Sequence, residues 1–167
     1  MSDTTMMALK ASMDQCEQHA RILTQDLALL PPLFNVADVA ELSEEGRRVM
    51  DQAAYRFMKL QDALGERVLP ALLDVTLDPL PPEAPFAQKL QRLERLGAIP
   101  SAQAWRRLRE ARNSLAHEYP QPPELQAAQW TVFVRAASEL LDIWGEVKRF
   151  AGSGVLRWLD SFSGAYS

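Results

Sequence analysis

The stretch MMALKASMDQCEQHARILTQDLALL, Met6 to Leu30, decides how the rest of the chain is read. Met6, Leu9, Met13, Cys16, Ala20, Leu23, Leu27 and Leu30 follow one another in steps of three and four. That spacing draws one apolar stripe along a helix of about seven turns and leaves the other faces polar. Pro31-Pro32 ends it. A helix apolar on one side has to bury that side against something, so partners of the same kind are expected further along. Cys16 stands in the stripe, which predicts a buried structural thiol. His19 lies among polar and acidic neighbours and is expected at the surface.

Those partners can be read off in order. PPLFNVADVAEL is a connector. Ser43, followed by Glu44 and Glu45, opens a second helix running to about Asp74, with Val49, Ala53, Phe57, Leu60, Leu64, Val68 and Leu72 on its stripe. Pro70 is expected to strain or kink its end. On this helix Lys59 and Asp62 lie three apart, the spacing of an ion pair within one helix, although a supporting role beside the motif described below is also open. DVTLDPLPPEAP, with four prolines in twelve residues, reads as an irregular loop. Phe86, Leu90, Leu93 and Leu96 then mark a shorter helix, closed by a left-handed Gly97. Ser101 caps the next one, which ends at Tyr119 because a residue before proline avoids helical angles. The last long helix starts near Pro123-Glu124 and carries Leu125, Ala128, Val132, Ala136, Leu140, Ile143, Val147 and Phe150. Gly152-Ser153-Gly154 reads as a hinge. The tail beyond it, rich in apolar residues, is expected to pack back on the domain, with a subunit contact as the alternative.

No stretch alternates with the two-residue period of a strand. The expectation is therefore an all-α antiparallel bundle of four to five helices over residues 1–151, with residues 152–167 as a short helical tail. At 167 residues, 47% hydrophobic and 24% charged, the chain has the composition of a single globular domain. Its apolar residues are too dispersed for a membrane span, and the first ten residues lack the pattern of a signal peptide. One cysteine forms no internal disulfide, so the cytoplasm is the expected compartment.

The formal net charge is −4, which argues against a general nucleic-acid binder. The charge is unevenly spread. Between residues 92 and 112 six arginines (92, 95, 106, 107, 109, 112) face two glutamates (94, 110), a local +4 that leaves −8 for the rest. Such a run is either a solvated helix face or a surface for phosphate, with Arg106 and Arg109 the candidate RNA contacts.

In RRLREARNSLAHEYPQPP, Arg106 to Pro123, one charge is out of place. Trp105, Leu108, Arg112, Leu115 and Tyr119 keep the three-four rule, so Arg112 occupies a packing position. Arg109, Asn113 and His117 form the neighbouring row. Arg112 can snorkel to water and His117 can cap a helix end, or the two can border one groove. The string RNSLAHEYP resembles the R-x4-H-x-Y signature of HEPN domains, in particular the HepT-like toxins. KLQDALG (Lys59 to Gly65) and LERLGAIPSAQAWRRLREARNSLAHEYP resemble the helices around that signature, so the likeness covers about Gln52 to Pro120.

The resemblance implies a helical ribonuclease that needs no metal or other cofactor and works as a homodimer. It implies Arg112 and His117 as the catalytic pair and Asn113 as the residue that orients them. It also implies that a cognate nucleotidyltransferase, the antitoxin of a two-gene pair, silences the toxin by adenylating Tyr119. The alternative is a non-catalytic helical subunit that docks such a nucleotidyltransferase. The chemistry suits the residue types. A histidine can move a proton near neutral pH, and a guanidinium fork matches the oxygens of a phosphorane. Trp105 and Trp130 are expected in the core. The sequence offers no glycine-rich phosphate loop, and two distant histidines with one cysteine make no transition-metal set.

Overall fold

The computed structural model describes residues 3–76, 79–115 and 121–155, and it is all-helical, with no strand among them. Helix α1 spans Asp3–Leu27, α2 Val36–Ala40, α3 Glu44–Ala63, α4 Leu69–Asp74, α5 Phe86–Arg95, α6 Ala102–Leu115 and α7 Pro123–Phe150. The segment from α3 to α4 is one continuous helix interrupted by a π turn, Leu64–Val68. Among the described residues, no helix is long and apolar enough to cross a membrane.

The stripe of α1 is buried along its length from Met6 to Leu23, and Cys16 is fully enclosed. Burial pushes the Cys16 thiol up to about 12, which leaves it a packing group. The main partner of α1 is α3, and along α3, the π turn and α4 the residues Val49, Ala53, Phe57, Leu60, Leu64, Val68 and Leu72 are all buried as expected. Pairings across the helices fix their directions. Gln15 meets Arg67 and His19 meets Arg56, so α3 runs against α1. Glu17 meets Trp144 and Lys148 while Phe34 meets Thr131, so α7 also runs against α1. Phe57 and Phe133 pack edge to face with centroids 5.6 Å apart, joining α3 to α7. Burying each such side chain contributes about 1.5–3 kcal/mol, and this shared interior holds the long helices together.

Local signals explain most boundaries. The Ser43 hydroxyl accepts from the Gly46 N–H at 3.0 Å, as a cap should. Gly97 takes φ +78°, and the Ala98 N–H reaches back to the Leu93 carbonyl, closing α5. Ser101 caps α6 through the Ala104 N–H, and Glu94 of α5 accepts from the Ala102 N–H at 2.7 Å. The connector after α1 holds a short helix that the sequence reading missed. Asn35 and Asp38 form a reciprocal capping box around α2, a signal present in the letters N-V-A-D. The buried Thr131 hydroxyl anchors this corner by accepting from the Phe34 N–H and donating to the Ala127 carbonyl.

The helix runs on to Asp74 as expected, and it departs from regular α geometry just ahead of Pro70. Pro70 falls in the first turn of α4, just past the π turn, where the Leu69 N–H bonds to the Leu64 carbonyl. The wider turn relieves the clash of the Pro70 ring with the preceding turn. Several other expectations need correction: Leu125, Ala128 and Val132 are exposed, and α7 buries Ala127, Thr131 and Val134 instead. The alanines on neighbouring rows hid a stripe displaced by one position. Trp130 is half-buried, its ring edge against Phe34, and Leu96 is exposed. The glycine pair after α7 is no hinge, since Ala151–Val155 continues as a π turn. The tail beyond 155 lies outside the described residues.

His19 needs correction as well. It is 7% exposed, not a surface residue. Arg56 Nη1 lies 2.9 Å from its Nδ1, and a guanidinium only donates, so Nδ1 accepts and the proton sits on Nε2. Burial, with the charges of Arg56, Lys59 and Arg67, depresses the His19 pKa. The buried Asp26 nearby is pushed the other way by its own burial.

Two outcomes test this packing. Cβ of an alanine at position 65 would stand 3.0 Å from Cζ2 of the buried Trp105, so Gly65→Ala should destabilise the fold by about 1–3 kcal/mol in urea unfolding. His19 has a folded pKa below its unfolded value of about 6.5, so the unfolded chain binds the proton first as pH falls. Stability should therefore drop as pH is lowered below about 6.5, and His19→Gln should remove that part of the slope.

Candidate functional site

Arg112, the charge on the packing stripe, is answered by a carboxylate from another helix. Its Nε donates to Asp62 Oδ1 and its Nη2 to Asp62 Oδ2, both at 3.0 Å. This two-pronged geometry joins α6 to the end of α3, 50 residues earlier. The side chains are 32% and 31% exposed, so the pair sits at a mouth and not in the core. The hydrogen bonds to Asp62, its charge and that of Glu66 push the Arg112 pKa up, and the group stays cationic. Of the two readings open for Asp62, an ion pair with Lys59 and a place beside the motif, the structure shows the contact with the motif. Lys59 instead lies over the Tyr55 ring, 5.7 Å from its centroid.

The pair borders a cleft of about 420 Å³. One wall is α6, which supplies Trp105, Arg109, Arg112 and Asn113. The facing wall is the end of α3 and the π turn, with Gln61, Asp62, Gly65 and Glu66. Phe86, at the start of α5, completes it. Gly65 lets the buried indole of Trp105 approach the backbone of the π turn, which brings α6 near enough for Arg112 to reach Asp62. Wide turns of this kind recur at functional sites.

Of the residues singled out in the sequence, Arg109, Arg112 and Asn113 meet in this cleft. Arg106 is exposed on the same helix but is not part of the lining. His117 and Tyr119 lie outside the described residues. The basic run is partly neutralised, because Arg107 pairs with Glu139 of α7 at 3.0 Å and Arg112 with Asp62. Two carboxylates, Asp62 and Glu66, face two guanidiniums, Arg109 and Arg112, so the cleft is polar and close to neutral in formal charge. Among the described residues, no group of three or more His, Cys, Asp or Glu side chains stands together as a metal site.

Sequence reading missed Gln61, Glu66 and Phe86 as neighbours of the motif. The motif gives no local signal for them, since only the crossing of α3, α5 and α6 brings them together. Family models, curated proteins and solved structures were compared with the chain, and none of the three comparisons gives a match.

The pair can be measured directly. A double-mutant cycle of Asp62→Ala and Arg112→Ala should give a coupling of about 0.5–1 kcal/mol, as suits a partly exposed ion pair. A coupling indistinguishable from zero would mean that the two groups do not meet in solution.

Proposed function

We propose that this chain is a metal-independent ribonuclease of the HEPN type, the toxin of a two-gene toxin–antitoxin pair acting in the cytoplasm as a homodimer. The observation that carries the reading is the Arg112 guanidinium, held two-pronged by Asp62 at a cleft mouth beside Asn113 and Arg109. A cation fixed in this way needs no reorganisation when charge builds on a reacting phosphate. Nε and Nη2 are engaged by Asp62, and Nη1 remains for a phosphate oxygen.

In the reaction, the 2′-hydroxyl oxygen of RNA attacks the adjacent phosphorus and the bond to the 5′-oxygen breaks. One histidine removes the 2′-hydroxyl proton and a second protonates the departing 5′-oxygen. The motif holds a single histidine, His117, so the acid and the base come from two subunits. Asn113 orients the pair, and Arg109, with Arg106 beyond the cleft, contacts the RNA backbone. A cognate nucleotidyltransferase silences the toxin by adenylating Tyr119, since a bulky anion next to the motif opposes RNA phosphate.

A second reading has its own support. The near-neutral cleft and the net charge of −4 suit a non-catalytic subunit that docks a nucleotidyltransferase better than they suit an RNA binder.

Growth arrest on expression should vanish in His117→Ala, and Arg112→Ala should lower RNA cleavage by about 10²–10³-fold. Coexpression with the nucleotidyltransferase should add whole adenylate masses that are lost in Tyr119→Phe. Arrest that survives His117→Ala overturns the ribonuclease. A stable complex without cleavage by the unmodified protein favours the docking subunit.

A further inference from the structure

Two polar groups of the cleft have no role in the chemistry above. Gln61, on α3, is 5% exposed and lines the cavity, and among the described residues its carboxamide has no hydrogen-bond partner. The indole Nε1–H of Trp105 is likewise buried without a partner. Its place can be inferred from Gly65, because Cε2, the atom bonded to Nε1, lies 3.9 Å from where a Cβ at that cavity-lining glycine would be. A buried donor left unsatisfied costs about 1–3 kcal/mol, and folded proteins hold few of them. One such donor, and on the facing wall of the same cavity a carboxamide without a protein partner among the described residues, point to a ligand that brings the missing partners.

The lining says what kind of ligand. A carboxamide offers a donor and an acceptor side by side, and an indole N–H adds one more donor. That set matches the edge of a nucleobase, where ring nitrogens, carbonyls and amino groups alternate. The half-buried Phe86 supplies an apolar ring on which a base can lie, and Arg109 with Arg112 supplies cations for the attached phosphate. The volume, about 420 Å³, falls in the range of small-ligand sites.

We infer that the cleft binds one nucleotide of the RNA substrate base-first, with Gln61 and Trp105 reading the edge of the base and Phe86 contacting its face, so that cleavage is base-selective. The inference rests on the ribonuclease reading for the identity of its substrate. It adds that selection among bases is made within a single subunit, on the α3 and α5 side of the cleft.

The test uses ¹⁵N-labelled full-length protein carrying His117→Ala. It is titrated in turn with the four nucleoside 3′-monophosphates and with inorganic phosphate. At least one nucleotide should bind about tenfold or more tighter than phosphate and shift both the Trp105 indole N–H and the Gln61 side-chain NH₂ signals. Gln61→Leu and Phe86→Ala should each bring that nucleotide close to the affinity of phosphate, whereas Arg112→Ala should weaken all five probes. Gln61→Glu, nearly isosteric, keeps the test open if the leucine variant fails to fold, and it should change which base is preferred.

Nucleotides and phosphate binding alike, or shifts that spare Gln61 and Trp105, overturn the base site. The two proposals fail separately. Cleavage lost in His117→Ala but unchanged in base preference in Gln61→Leu sinks the base site and leaves the ribonuclease. Base-selective binding by a protein whose toxicity survives His117→Ala sinks the ribonuclease and leaves a nucleotide site.

Discussion

Where Trp105 meets Gly65, a six-membered ring stands against bare backbone, and a side chain at that position would begin 3.0 Å from it. This contact sets how closely α6 can approach the end of α3. Had α6 been held farther away, Arg112 would not reach Asp62 with both prongs, and the walls of the cleft would not face each other at their present separation. The π turn belongs to the same constraint. It accommodates Pro70 on one side and presents Gly65 and Glu66 to the cleft on the other. One local widening of the backbone thus serves the packing of the bundle and the shape of its site.

The electrostatics follow from that geometry. Six arginines crowded into a short stretch suggest a basic surface, yet the fold brings carboxylates from distant helices to Arg107 and Arg112. What remains is a cleft in which one cation, Arg112, is held in place by an anion. Such a site attracts a polyanion weakly at long range and orients a phosphate well at short range, because the guanidinium is already fixed. Substrate discrimination in a site of this kind falls to short-range contacts, the role assigned above to Gln61, Trp105 and Phe86. The depressed pKa of His19 has a different origin. That histidine is buried between α1 and α3, among Arg56, Lys59 and Arg67, and its effect is on stability.

The legible part of the fold lay where one apolar row dominated. On α1 and α3 the rows were clean, and every residue assigned to the α3 stripe is buried. On α7 alanines occupy two adjacent rows, so hydrophobicity alone did not choose between Leu125-Ala128-Val132 and Ala127-Thr131-Val134. Helix ends were readable where a cap was a single residue, as at Ser43, Gly97 and Ser101. Polar residues misled more often. His19 looked solvated because its sequence neighbours are polar, but its position on the helix turns it towards Arg56.

By itself, the sequence determined the all-helical class, the faces that α1 and α3 must bury, and the presence of one arginine on a stripe that should have been apolar. Those are properties of spacing along a single helix, and a period of 3.6 residues expresses them without reference to any other part of the chain. Only the tertiary structure decided that Asp62 answers Arg112, that Gln61 and Phe86 share its cleft, and that His19 is enclosed. The partners in those contacts are about 25 to 50 residues apart, on helices whose relative height and rotation depend on how side chains of particular size interlock. A residue as small as Gly65 fixes that interlocking, and its consequence is visible only when the facing tryptophan is in place.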